Sequence, residues 1–197
     1  AAVLRDLSQQ GALIESETSI PPDNTIIAAT HTHSGPATID SAESFQPAEQ
    51  GYVRILIEKI ARSVSKALLN ARPALIGTGR GSEDTISRYR RFMSEDGKIV
   101  MIWERNPDES PMRCLGKPDP AVGVLKVVDA ADPAATIAVL FNHAGHPNVM
   151  SGDNYMISAD YAGVAAWLVE EHCGCSAMFF NGAQGTMDID NWRYRDW

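Results

Sequence analysis

The stretch Thr30-His31-Thr32-His33-Ser34-Gly35-Pro36 carries two histidines that are separated by one residue. It follows the apolar, β-branched run Thr25-Ile26-Ile27-Ala28-Ala29, which predicts a buried strand that ends at the histidines. Side chains alternate between the two faces of a strand, so extended geometry through Thr32 would place His31 and His33 on the same side. The sequence therefore predicts that two imidazoles converge at a strand end.

A second pair of histidines ends another apolar run. The residues Thr136-Ile137-Ala138-Val139-Leu140-Phe141 lead into Asn142-His143-Ala144-Gly145-His146-Pro147. Four of the five histidines thus fall into two clusters at predicted strand ends. A single loop histidine is more often only a hydrogen-bonding residue, but neutral imidazole is also the commonest protein ligand for zinc. Two such pairs, with glycine and proline beside them, favour a metal site.

The composition is that of an ordinary globular protein. Hydrophobic residues make up 44% and charged residues 21% of the 197, which is typical of one domain or part of one. The net charge of -8 argues against a nucleic-acid partner, because Arg88, Arg90 and Arg91 form the one local basic cluster. No apolar run reaches the roughly 20 residues that a transmembrane segment needs. The three cysteines lack the spacing of a disulfide framework or a usual zinc ribbon.

Strand and helix patterns alternate along the chain and predict an α/β fold, with α+β as the alternative. Helices are predicted for residues 52–70 and 161–172, and strands for residues 74–77, 98–103, 122–128, 136–141 and 177–180. The predicted architecture is a mixed sheet with flanking helices. The metal site is expected at the strand ends, where α/β sheets usually bind ligands.

Some local predictions are more specific. Residues 1–16 predict a helix followed by a short strand, and Gly77 to Gly81 predict a turn-rich exit from a strand. Glu95-Asp96-Gly97 is a hairpin turn signal, and the polar stretches 37–50 and 106–120 predict loops, the first of which would shape substrate entry. Asp160 is expected to cap the last helix, whose inward-facing residues would be Val164, Ala165, Leu168 and Val169.

Several motifs, taken in order along the chain, resemble the neutral/alkaline (non-lysosomal) ceramidase family. They are Thr30–Pro36, Asp119–Val127, Gly145–Met150, Ile157–Gly163 and Phe180–Gly185. The similarity extends from about residue 20 to residue 190, and it covers the N-terminal half of the family's catalytic domain. The chain begins within a helical pattern and stops without a tail, so we expect residues 1–197 to be the N-terminal portion of a ceramidase-like metallohydrolase domain. Family members are often exported, which favours a secreted or periplasmic protein.

The resemblance assigns roles to individual residues. His31 and His146 match the family's zinc-ligating histidines, and His33 matches a neighbour that assists catalysis. His143 then supports the loop or the substrate, although spacing alone leaves it open as a metal ligand. The arginine of the family's site is matched by Arg90, with Arg91 as second choice; its guanidinium could stabilise an oxyanion. The remaining ligands of the family, a glutamate and a tyrosine, are expected beyond this chain.

The polar glycine loop after the last predicted strand completes the candidate site. Asn181 and Gln184 are predicted to contact the substrate, as is His143. The family carries a catalytic serine in a Gly-Asp-Val-Ser step after this loop, whereas this chain reads Gly185-Thr186-Met187-Asp188. The carboxylate of Asp188 could instead orient water or act as a base.

The predicted function is hydrolysis of an amide bond in an N-acyl, ceramide-like substrate, with zinc as the cofactor and metal-activated water as the nucleophile. The substrate would be a lipid or small N-acyl molecule. One alternative is a dinuclear metal phosphoesterase in which both histidine pairs are ligands. The other is a non-catalytic binding domain of the cell envelope, motivated by the missing serine.

Overall fold

A computed structural model describes residues 2–38, 50–104, 112–150 and 154–189. The chain divides into two compact units, Ala1–Ala28 with Gly35–Pro73, and Ala29–Ser34 with Ala74–Trp197. The helices are α1 (Ala2–Thr18), α2 (Gln50–Leu69) and α3 (Asp160–Cys173). The strands are β1 (Ala74–Ser82), β2 (Ser87–Tyr89), β3 (Arg91–Met93), β4 (Ile99–Met101), β5 (Arg113–Cys114), β6 (Ala121–Asp129), β7 (Thr136–His143), β8 (Ser176–Asn181) and β9 (Met187–Ile189).

The first unit consists of α1 packed against α2. Ile14, Val53 and Ala61 are its buried apolar side chains among the described residues. The short strand expected near residue 16 is wrong, because α1 continues to Thr18. Alanine, leucine and glutamate at positions 12, 13 and 15 favour helix, and the burial of Ile14 stabilises it.

The predicted strand Thr25–Ala29 is also wrong. These residues follow a 3₁₀ turn, Pro22–Asn24, and belong to no strand. Ile26 is 89% exposed, so the run is not buried either. β-Branched residues favour extended backbone, but a strand also needs a partner strand along its edge, and none lies beside this run in the described part of the chain.

The second unit contains a mixed four-stranded sheet with the order β1-β6-β7-β8. The β1–β6 and β6–β7 pairs are antiparallel, whereas β7 and β8 are parallel and are connected through α3. Parallel strands need a crossover connection of this kind. His143 pairs with Asn181 at the ends of β7 and β8, so the loops that follow these two strands start side by side. The predicted α/β class, with a mixed sheet and flanking helices, is therefore confirmed.

β1 is longer than predicted. Gly77, Gly79 and Gly81 do not form an exit turn; they pair with Lys126, Val124 and Val122 of β6. The hydrogen bonds of the antiparallel ladder hold these glycines extended, which overrides their weak intrinsic preference for strand.

α3 differs in two details from the sequence prediction. Asp160 does not cap it; the helix starts at Asp160 itself, which is buried and has φ +55°. Val164 and Leu168 are more than half exposed, so the prediction that they face inward is wrong. Ala165 and Val169, the other two residues predicted to face inward, are half-buried, and α3 packs against β8.

Two small sheets complete the second unit among the described residues. β2 pairs with β9, and β3 pairs with β4 and β5. The predicted hairpin turn is confirmed: Gly97 has φ +80°, and its N–H donates to the carbonyl of Ser94 at 3.0 Å. The predicted strand 98–103 is shorter, because Ile102–Glu104 forms a 3₁₀ turn.

Two predicted loops lie partly outside the described residues. They are residues 37–50, of which 39–49 are not described, and residues 106–120, of which 106–111 are not described; within the second, Arg113–Cys114 forms β5. Within the described residues, none of the helices combines the length and apolar character that a bilayer crossing requires.

Candidate metal centre

Three imidazole nitrogens meet at one point of the second unit. His31 Nε2 lies 3.1 Å from His146 Nε2, His33 Nε2 lies 3.2 Å from His31 Nε2, and His33 and His146 approach to 2.9 Å. Ligands on a tetrahedral zinc ion, with bonds of about 2.0–2.1 Å, lie about 3.3 Å apart. In the described part of the chain, these three residues form the group of side chains that could hold a metal ion.

Hydrogen bonds among the three rings cannot explain this arrangement. A neutral imidazole carries one proton, and each Nε2 here faces two others. At most two of the three contacts can then pair a donor with an acceptor, and the third pairs two donors or two acceptors. Ring nitrogens whose lone pairs face one cation leave no such conflict, so the geometry fits a metal ion held by two or by all three of the rings.

The electrostatics keep two of the rings, those of His33 and His146, in the metal-binding form. Burial and the two neighbouring histidines lower the pKa of His146 to about 4, against the opposing effect of the Gln184 carbonyl. Burial and the charge of His31 also lower the pKa of His33. Neutral imidazole is the form that donates a lone pair to a metal, so at neutral pH these two rings need not lose a proton to bind one.

The segment around His31 reaches the site by an unexpected backbone path. His31 has φ +65°, in the left-handed region that non-glycine residues rarely adopt, so strand alternation does not explain why it faces the same point as His33. The segment is fixed by its neighbours: the His33 N–H donates to the Pro147 carbonyl at 3.0 Å, and Thr32 Oγ1 donates to the Ser158 carbonyl at 2.8 Å. The convergence is observed, but the predicted reason for it is wrong.

Arg90 lies beside the three histidines. Its charge contributes to the low pKa of both His33 and His146. The guanidinium Cζ lies 5.5 Å from the centre of the Trp103 ring, which is a cation–π arrangement. Its Nε–H is buried and has no hydrogen-bond partner among the described residues. The neighbouring Arg91, by contrast, is exposed on β3.

Asp188 is buried in β9 and does not join the histidine group. Burial raises the pKa of its carboxyl, while a hydrogen bond from Asn148 and the charge of Arg90 act in the opposite direction. The charge of Arg90 thus acts on the Asp188 carboxyl as well as on His33 and His146.

The three residues predicted to bind substrate have different surroundings. His143 is buried, and its Nε2 lies 2.9 Å from Ser87 Oγ instead of joining the other histidines. Asn181 Nδ2 donates to the Thr30 carbonyl at 2.8 Å, which leaves its Oδ1 buried without a partner among the described residues. Gln184 Oε1 is buried and unpartnered in the same sense, so two amide oxygens have unused acceptor capacity here. A dinuclear site that uses both histidine pairs is not supported by this arrangement.

Sequence reasoning missed several polar contacts of the site. Asn154 Nδ2 donates to Ser34 Oγ at 3.0 Å, and Tyr161 Oη donates to the Gly145 carbonyl at 2.7 Å. Burial raises the pKa of Tyr161, so its hydroxyl keeps the proton that it donates. For Tyr161 a signal was available, because it lies within one of the five family motifs. No spacing signal could have indicated Ser87, which is 56 residues from its partner His143.

A comparison with known protein families shows to which family this chain belongs. A sequence profile described as neutral/alkaline non-lysosomal ceramidase, N-terminal, matches residues 1–183. The chain belongs to this family. The resemblance of the five motifs is thereby confirmed.

Individual ceramidases are similar to most of the chain. Neutral ceramidase A of Dictyostelium discoideum is 25% identical over 175 residues, which is 86% of this chain and 22% of the relative. The neutral ceramidase of Pseudomonas aeruginosa is 28% identical over 152 residues, 74% of this chain and 20% of the relative. This chain thus spans about a fifth of the length of these curated relatives.

The fold is also that of a solved relative. The crystal structure of neutral ceramidase from Pseudomonas aeruginosa matches with a TM-score of 0.70 and 24% sequence identity. The match covers 93% of this chain and 29% of the ceramidase. A structure of a ceramidase complexed with C2 also matches, with a TM-score of 0.70 and 23% identity, over 93% of this chain and 28% of that one.

Proposed function

We propose that this ceramidase-family chain takes part in hydrolysis of the amide bond of a ceramide-like N-acyl substrate. The observation that carries the proposal is the convergence of His31, His33 and His146 at Nε2 distances of 2.9–3.2 Å. The neutral ceramidases to which the chain is similar support the substrate class. A phosphoesterase with two metal ions would need further ligands in place of His143, whose ring bonds to Ser87.

The metal that we propose is zinc, held by His31 and His146. The pKa of His146 is lowered to about 4, and its Nε2 lies 3.1 Å from that of His31, which fits a borderline-soft cation with a preference for imidazole. Zinc bound in this way supplies Lewis-acid chemistry, which polarises a carbonyl group and activates water. We assign His33 as the polar partner that faces the same point and hydrogen-bonds the substrate.

The chain's own residues have distinct proposed roles around this point. Arg90 carries a buried, unpartnered Nε–H and would donate hydrogen bonds to the negative oxygen that develops as the amide carbonyl becomes tetrahedral. Burial raises the pKa of the Asp188 carboxyl, and we assign this group as the one that would orient water or act as a base. The free oxygens of Asn181 and Gln184 would accept hydrogen bonds from substrate hydroxyl or amide groups, and buried His143 would support the loop beneath them.

We further propose that residues 1–197 are the N-terminal portion of a larger catalytic domain. The relatives are about five times as long as the matched region, and the profile that matches is itself N-terminal. Two histidines leave a tetrahedral zinc ion with vacant positions, so the remaining ligands would come from later in the polypeptide.

The test is an assay of the intact protein on a ceramide whose acyl chain carries a fluorophore. We expect release of the free fatty acid, complete loss of that release after treatment with a zinc chelator, and recovery when zinc is added back. Phosphoester and carboxylic ester substrates are run in parallel. Turnover that persists without metal would contradict the proposal, as would a metal-loaded protein that is inert towards the amide; activity on the phosphoester alone would favour the dinuclear alternative.

A further inference from the structure

The backbone that carries His146 is held by an unbroken series of hydrogen bonds. Every carbonyl of residues 143–147 accepts one. The donors are Gly182 N to His143 O at 2.9 Å, Ser87 Oγ to Ala144 O at 3.0 Å, Tyr161 Oη to Gly145 O at 2.7 Å, Asn148 N to His146 O at 2.9 Å, and His33 N to Pro147 O at 3.0 Å. All five residues of the segment are buried. This loop therefore has a fixed backbone path although it lies mostly outside regular secondary structure.

Two of these five donors are side-chain hydroxyls, and both act immediately before His146. A carbonyl oxygen can only accept, so Tyr161 donates to Gly145 and Ser87 donates to Ala144. Because Ser87 has one hydroxyl proton, the 2.9 Å contact between its Oγ and His143 Nε2 is then donated by the imidazole N–H. Ser87 is completely buried. Ser87 is the first residue of β2, so its hydroxyl reaches the loop from a different sheet than the one that contains β7.

Gly145 shows how closely these hydroxyls approach. A Cβ atom at this position would lie 2.9 Å from Tyr161 Oη, 3.2 Å from Ser87 Oγ and 2.6 Å from Ile189 Cδ1. Real Cβ atoms essentially never come as close as 2.6 Å to another heavy atom. A side chain at position 145 would therefore displace the Tyr161 hydroxyl and the end of the Ile189 side chain.

The His146 ring itself has little other support. Its Nδ1 lies 3.4 Å from the Gln184 carbonyl, near the upper limit for a hydrogen bond. The direction of a metal-ligating imidazole is normally fixed by a hydrogen bond at its second nitrogen. Because that bond is long here, the orientation of the ring depends on the backbone from which it projects.

We propose that Ser87 and Tyr161 are positioning residues of the metal centre, which act by clamping the Ala144 and Gly145 carbonyls so that His146 Nε2 points at the metal. This inference rests on the proposed metal-binding function. The two hydroxyls lie outside the histidine group, and their loss would weaken metal binding in addition to any effect on folding.

The experiment measures Co²⁺ binding by the intact protein, because Co²⁺ occupies zinc sites and its visible absorption reports coordination geometry. Tyr161→Phe removes one hydroxyl, and Ser87→Ala removes one hydroxyl together with the partner of His143 Nε2. Partners of metal ligands typically contribute about 10-fold to 100-fold in affinity, so we expect each variant to bind Co²⁺ at least about 10-fold more weakly, with an altered visible spectrum.

Three controls separate positioning from folding. Ser94→Ala deletes a hydroxyl that bonds only within the β3–β4 turn, and Tyr52→Phe deletes a hydroxyl on α2. Val139→Ala truncates a buried side chain of β7 and lowers stability without removing either hydroxyl. The midpoint of thermal unfolding, measured on the metal-free proteins, compares the stability of each hydroxyl variant with that of the controls. We expect all three controls to keep the parent's Co²⁺ affinity and spectrum.

The outcomes distinguish this inference from the function on which it rests. If the parent binds Co²⁺ and the two hydroxyl variants bind it within about twofold with an unchanged spectrum, the clamp is refuted and the metal site stands. Affinity that falls equally in Val139→Ala also refutes the clamp, because the loss then follows stability. A parent that binds no Co²⁺ refutes both proposals.

Discussion

Replacing His31 with alanine is expected to remove the metal and to lower amide turnover by at least about 10³-fold. His31 Nε2 lies 3.1 Å from His146 Nε2 and 3.2 Å from His33 Nε2. Alanine at position 31 therefore removes one of the three ring nitrogens that converge at the candidate metal site. Lewis-acid stabilisation by a metal ion contributes several kcal/mol to a hydrolytic transition state, which sets the size of the effect. The measurements are metal content by elemental analysis and kcat/KM on a labelled ceramide.

Two further histidine variants make this test specific. His172→Ala changes an exposed histidine in the last turn of α3 and is expected to retain metal and turnover. His33→Ala is expected to retain most of the metal and lose turnover, in line with its assignment as a partner of the substrate. Full metal content in His31→Ala would overturn the ligand assignment; loss of metal from His33→Ala would make His33 a third ligand.

Replacing Arg90 with alanine is expected to lower kcat about 10²-fold to 10³-fold while the metal remains bound. The charge of the guanidinium lowers the pKa of His33 and His146, and its Nε–H is buried without a partner among the described residues. Donors of this kind lower a barrier only if they meet negative charge that develops during the reaction, so the effect should appear in kcat more than in KM.

Arg91→Ala is the matched control for this variant, because Arg91 is the next residue and is exposed. We expect it to leave kcat within about twofold. Arg90→Lys keeps the charge but loses the planar fork of donors, and we expect it to recover only part of the rate. If Arg90→Ala retained the parent's kcat, or if Arg91→Ala caused the larger loss, the assignment of the site's arginine would be wrong.

The sequence predicted the part of the fold that positions the site. The apolar runs of β7 and β8 are long enough to mark two neighbouring strands, and their polar ends mark the loops where His146 and Gln184 lie. It failed for Thr25–Ala29 because strand formation depends on a partner as well as on β-branched residues. It failed for Val164 and Leu168 because helical spacing alone did not identify which face of α3 packs against β8.

The candidate site was predictable as a set of residue types but not in its geometry. The motif similarity identified the family and the histidines, and the close approach of His31 and His33 is observed. This approach depends on the left-handed backbone conformation of His31, which no feature of the sequence indicates. The hydroxyls of Ser87 and Tyr161 could not be connected with the Ala144–Gly145 backbone before the fold was known, since tertiary structure alone brings them together.

The central claim, that this histidine group holds one catalytic metal ion, is tested most directly by elemental analysis of the intact protein and of His146→Ala. His146 is the buried member of the group, and its ring faces both other histidines. We predict about one zinc ion per chain in the parent, as for a mononuclear hydrolase, and almost none in the variant. Two metal ions per chain in the parent, or the same metal content in the variant as in the parent, would contradict the account.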